Sequence, residues 1–126
     1  MNAALVVAGV LSLGIGAAHS YLGERYVIVR LLRRSDLPRL FGSDQFTRRT
    51  LRFAWHLTTV AWWGFGALFL VMAGTPAGTH AWRQAAWVGM AAFGASAVVT
   101  AVGSRGRHLA WLVFALIVVA LWFGTR

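Results

Sequence analysis

Four apolar blocks set the pattern of the chain, at about residues 3–22, 53–73, 84–103 and 108–124. The first carries no charged side chain and has His19 near its end. The second has His56 as its only ionisable residue. The third has none, and neither does the fourth beyond His108. Within each block apolar residues occupy every helical face rather than one stripe, which is the signature of a membrane helix. A hydrocarbon core of ~30 Å needs roughly 20 helical residues. Three blocks reach that length, and the fourth needs His108 at its start or Thr125 at its end. The pattern therefore predicts an all-α polytopic membrane protein, with four transmembrane helices in an up-down bundle and one transmembrane domain over residues 1–126. A signal peptide is the rival for the first block, because Gly16-Ala17-Ala18 resembles a cleavage site. The first 18 residues hold no basic side chain, and a signal peptide needs one, so a retained helix is expected.

The connections have patterns of their own. In the basic stretch at about 25–52, Tyr26, Val27, Ile28, Val29, Leu31 and Leu32 alternate with Arg25, Arg30, Arg33 and Arg34. Either helix 1 continues past its apolar block or a short helix lies in the interface. Leu37-Pro38 should end it, since the residue before Pro avoids the helical region. Gly42-Ser43-Asp44 reads as a turn and N-cap for a long second helix. Gly74 to His80, with its Gly and Pro residues, reads as a short loop between antiparallel helices.

Charge then gives the bundle a direction. All twelve basic residues are Arg, only Glu24, Asp36 and Asp44 are acidic, and the net charge is +9. Eight Arg lie between the first two blocks, and Arg105 and Arg107 lie between the last two. The positive-inside rule puts both connections in the cytoplasm and both termini in the periplasm. The charge thus reads as topology, with attraction to anionic lipid headgroups as its by-product, and nucleic acid is not an expected partner. Hydrophobic residues make up 59% of the chain and charged residues 12%, against about a quarter charged in soluble domains. No length remains for a soluble catalytic domain, which points away from an enzyme. The absence of Cys excludes disulfides, thiolate metal sites and a cysteine nucleophile. The seven Trp fall mostly near span ends, as an aromatic belt would; the deeper Trp62 and Trp63 read as packing residues.

Helix association inside lipid needs close backbone approach, and small residues supply it: Gly9, Gly14 and Gly16 on helix 1, Gly64 and Gly66 on helix 2, Gly89, Ala91, Gly94 and Ala95 on helix 3. A compact four-helix bundle follows, and a homo-oligomer or larger membrane complex is open to it. The candidate chemistry lies near the cytoplasmic edge. His19 is six residues inside Arg25, ~9 Å at the helical rise, and His56 is four inside Arg52, ~6 Å; His108 lies at the edge with Glu24, Arg105 and Arg107. His80 belongs to the opposite side. Ser20 and Glu24 share one face of helix 1, as Arg52 and His56 share one face of helix 2. His19 and His56 are candidate haem ligands, and His19, His56, His108 and Glu24 a candidate divalent-metal set. Ser20, Arg52, Arg105 and Arg107 complete a polar network. The plain alternative is that these groups hydrogen-bond across helices, with Thr58 and Thr59 bonding to their own helix backbone. A serine hydrolase triad is not expected from Ser20 beside His19. No close-spaced ligand motif chooses among a non-catalytic binding or accessory subunit, a haem or metal protein, and a small oligomeric or proton-coupled transporter.

Three runs carry a resemblance: His19-Ser20-Tyr21-Leu22-Gly23-Glu24-Arg25, Leu51-Arg52-Phe53-Ala54-Trp55-His56-Leu57-Thr58, and Arg105-Gly106-Arg107-His108-Leu109-Ala110-Trp111. Together they resemble an uncharacterised family of small bacterial four-helix inner-membrane proteins. The resemblance spans nearly the whole chain. It implies the bacterial inner membrane and four spans, and no mechanism.

Overall fold

The computed structural model describes residues 1–126 as four helices and no strand. They are α1 (Ala3–Leu31), α2 (Gln45–Gly74), α3 (His80–Gly103) and α4 (Ala110–Gly124). The first three are long and apolar enough to cross a membrane. At 15 residues, α4 is ~22 Å long. It begins two positions later than its apolar block because the His108 ring accepts the Ala110 N–H at 3.3 Å, so His108 sits in the turn that precedes the helix.

The basic connection is largely helical. α1 runs past Leu22 to Leu31, through a π-helical turn at Glu24–Ile28. It stops well before Leu37-Pro38, and the Arg34–Asp36 ion pair follows at once. The expected turn is present, with Phe41 (φ 55°) and Gly42 (φ 86°) both in the left-handed region. Asp44 occupies the N-cap position of α2 without capping it. Its carboxylate instead accepts from Arg48 Nη2 at 2.6 Å, and this hydrogen bond holds its pKa below the ordinary carboxylate value. Arg48 also donates to the Arg34 carbonyl, and Thr47 Oγ1 to the Pro38 carbonyl, each at 2.8 Å. The connection is thereby tied back onto α2.

α1 is the centre of the bundle, with α2 on one side and α4 on the other, while α3 packs on α4. α2 and α3 scarcely touch through their backbones. Large side chains fill the space between them: Phe93 of α3 lies 5.6 Å from Phe65 and 6.0 Å from Phe69, ring centre to ring centre. Phe114 of α4 closes the group, 5.9 Å from Phe93. Gly89 accommodates Phe69, whose ring tip would lie 2.7 Å from a Cβ there. Ala91 and Ala95, expected as a packing pair, are exposed and face away from the other helices.

Asn2 fastens one end of the bundle. Its Oδ1 accepts the Leu5 N–H, its Nδ2 donates to the Gly124 carbonyl at 2.8 Å, and its own N–H donates to the Ala73 carbonyl at 2.8 Å. One residue thus caps α1 and joins it to the ends of α2 and α4. Losing such a cap costs ~1 kcal/mol, so Asn2→Ala should lower unfolding stability in mixed micelles by about that much. An unchanged midpoint would show the two side-chain contacts to be idle; the main-chain bond to Ala73 is kept in the variant.

The outer surface is apolar. Only 23 of the 126 residues are buried, and Val98, Val99 and Val102 are 63%, 71% and 73% exposed. Apolar patches of this extent are foreign to monomeric soluble proteins.

Candidate functional site

The polar residues gather along the contact between α1 and α2, and the contact begins with glycine. Gly9, Gly16 and Gly23 are seven residues apart, so they lie along one face of α1. Each is filled from α2. A Cβ on Gly9 would come within 2.8 Å of Leu70 and 3.0 Å of the Gly66 carbonyl. One on Gly16 would come within 2.8 Å of Trp63, and one on Gly23 would overlap the Trp55 indole. Gly14 faces open space.

Close approach lets side chains of one helix reach the backbone of the other. Trp63 Nε1 donates to the Leu13 carbonyl at 3.1 Å. Trp55 and His19 form a reciprocal clasp: Trp55 Nε1 donates to the His19 carbonyl at 3.2 Å, and His19 Nε2 donates to the Trp55 carbonyl at 3.3 Å. Their rings stack, 4.5 Å apart and 6° from parallel. Trp62 meets His19 edge-on at 4.9 Å. Thr58 Oγ1 lies 3.0 Å from His19 Nε2 and donates to the Trp55 carbonyl.

A second run of bonds lies on the neighbouring face. Thr59 Oγ1 donates to the Gly16 carbonyl at 3.2 Å and lies 2.8 Å from Ser20 Oγ. Ser20 Oγ is 2.8 Å from His56 Nδ1. His56 Nε2 is 3.3 Å from Glu24 Oε2, and Glu24 Oε1 is 3.0 Å from Arg52 Nη2. The Ser20 hydroxyl thus lies between Thr59 Oγ1 and His56 Nδ1, within hydrogen-bond distance of both. No buried side-chain nitrogen or oxygen in the chain lacks a partner.

The structure unites part of the expected set and disperses the rest. Ser20, Glu24, Arg52 and His56 converge, as the matched four-residue spacings suggest. His19 belongs to the Trp55 clasp and shares no bond with His56. His108 is exposed at the start of α4. Arg105 and Arg107 form no ion pair. The four-residue metal set is therefore corrected: His19, His56, His108 and Glu24 are not one ligand group, and no cluster of three or more His, Asp or Glu is placed to hold a metal. Nor do His19 and His56 fit a haem. His19 Nε2 is bonded to the Trp55 carbonyl, and both ring nitrogens of His56 already have protein partners.

Ser20, His56 and Glu24 do follow the order of a hydrolase triad. Ser20 lies inside α1, however, where neighbouring N–H groups are committed to the helix, and no pair of free donors faces it to hold an oxyanion.

Gly23 and the cross-helix bonds of Thr59, Trp55 and Trp63 are not among the sequence expectations. Thr59 bonds across to α1 rather than to its own helix, and the two indoles are donors as well as packing surfaces. The seven-residue glycine spacing, set beside Trp55, Thr59, Trp63, Gly66 and Leu70 at intervals of three and four, is the signal that marks them. No family model, characterised protein or solved structure matches the chain.

Proposed function

We propose that the chain is a small integral protein of the bacterial inner membrane. It crosses four times with both termini in the periplasm, and serves as a binding or accessory subunit without catalysis of its own. The apolar outer surface and the three long apolar helices support insertion. α4 is short for the fourth span, and local thinning of the bilayer or added turn residues at its ends meet the difference. The clustering of Arg at one end of the bundle supports the orientation, and the resemblance in the His19, His56 and His108 runs supports the bacterial setting.

The observation that carries the non-catalytic role is the saturation of the polar seam. Ionisable groups in a membrane helix default to a ligand or proton task. Here His19, His56 and Glu24 are each bonded to the facing helix, so they hold α1 against α2. Purified protein should show no Soret band and no stoichiometric metal, and His56→Gln should stay folded and inserted. Stoichiometric haem or metal that disappears in His56→Ala would overturn this reading.

A further inference from the structure

A groove of about 860 Å³ opens between the C-terminal end of α1 and the N-terminal half of α2. Its two ends differ in chemistry. Arg33, Arg48, Arg49 and Arg52 surround one end. Phe53, Leu57 and Val60 line the other, with Val29 of α1 and Leu32 just past its end facing them. From Arg49 to Val60 is ~16 Å along α2, close to the ~15 Å depth of one leaflet.

We propose that this groove is a binding site for one anionic glycerophospholipid of the cytoplasmic leaflet, its phosphate among the four guanidinium groups and an acyl chain along Phe53, Leu57 and Val60. The proposal rests on the membrane reading above. Charge complementarity selects the occupant. Arg48 and Arg52 are each paired with one carboxylate, Asp44 and Glu24. Arg33 and Arg49 form no ion pair. The groove keeps a positive excess that a phosphodiester neutralises through charge-assisted hydrogen bonds. A free phosphate would leave the apolar floor uncovered, and a zwitterionic lipid would bring its own cation into the Arg ring. The site is also built rather than incidental. The π-helical turn carries α1 on through Val29 to Leu31, with Leu32 and Arg33 in the turn that follows, and the Arg48 and Thr47 bonds to the connection fix the rim. π turns recur at functional sites.

The test uses the full chain in nanodiscs of phosphatidylcholine with a minor fraction of phosphatidylglycerol, reading retained lipid by native mass spectrometry. Phosphatidylglycerol should be retained selectively. Arg33→Ala with Arg49→Ala should weaken its binding about thirtyfold, and Leu57→Asn should weaken it as well. Arg30→Ala with Arg39→Ala removes the same charge outside the groove and should leave retention unchanged. Equal loss in the two double variants would overturn the proposal in favour of diffuse surface charge. Indifference to Leu57→Asn, with displacement by millimolar inorganic phosphate, would overturn it in favour of a phosphate site. Chain that enters nanodiscs with no lipid preference would overturn the lipid site alone. Chain that fails to enter would overturn the membrane reading with it.

Discussion

Phe93→Ala should destabilise the bundle by about 3–5 kcal/mol, the range for removing a fully enclosed aromatic ring. Phe93 is 1% exposed and touches Phe65, Phe69 and Phe114, so its ring joins α3 to both α2 and α4. The α2 and α3 backbones are held apart, and no small local shift can close the space that Phe93 would leave. In lipid the loss is mainly one of contact, because the tails are as apolar as the core. Equilibrium unfolding in mixed micelles measures it. Phe46→Ala removes a ring of the same size from an exposed position and should cost little. Equal midpoints for the two variants would place the centre of the bundle elsewhere.

Gly23→Leu should be the most damaging added side chain. The new Cβ overlaps the Trp55 indole, so the indole must leave. Its bond to the His19 carbonyl and the stack on the His19 ring go with it. Overpacking costs ~1–3 kcal/mol and each lost hydrogen bond ~1 kcal/mol, for about 3 kcal/mol or more in all. Gly14→Leu is the matched control. The same helix gains the same side chain in open space, and stability should stay within ~0.5 kcal/mol. Trp fluorescence adds a second readout, since Gly23→Leu should move Trp55 and Gly14→Leu should not. If both variants unfold at the same midpoint, the glycine face is not where α1 meets α2.

These two predictions differ in how far the sequence foretold them. The apolar blocks gave the four helices, and the Gly and Pro residues between Gly74 and His80 gave the α2–α3 turn. The four-residue spacings put Ser20 with Glu24 and Arg52 with His56 on single helix faces, and the Glu24–Arg52 ion pair joins the two faces. Depth alone misled the reading of the histidines. His19 and His56 lie at similar levels, yet they leave adjoining faces of the α1–α2 contact, so each bonds to different residues. Similar depth does not bring side chains together; facing direction must agree as well. Gly23 is not legible as a packing glycine because it follows the apolar block rather than lying inside it. The role of Asn2 is not legible because it depends on the ends of α2 and α4, which are remote in sequence. The groove needed α1 to continue to Leu31, one of two possibilities that the interleaved Arg and apolar residues left open.

Labelling of single cysteines with a membrane-impermeant maleimide tests the proposed arrangement most directly, because the chain has no native Cys. Ser43→Cys lies in the Arg-rich connection and Ala77→Cys in the opposite turn, and both positions are exposed. In intact spheroplasts Ala77→Cys should react at once, and Ser43→Cys only after the membrane is opened. Prompt reaction at Ser43→Cys with protection at Ala77→Cys would reverse the orientation, and the same response at both positions, prompt or protected, would contradict the crossing of α2.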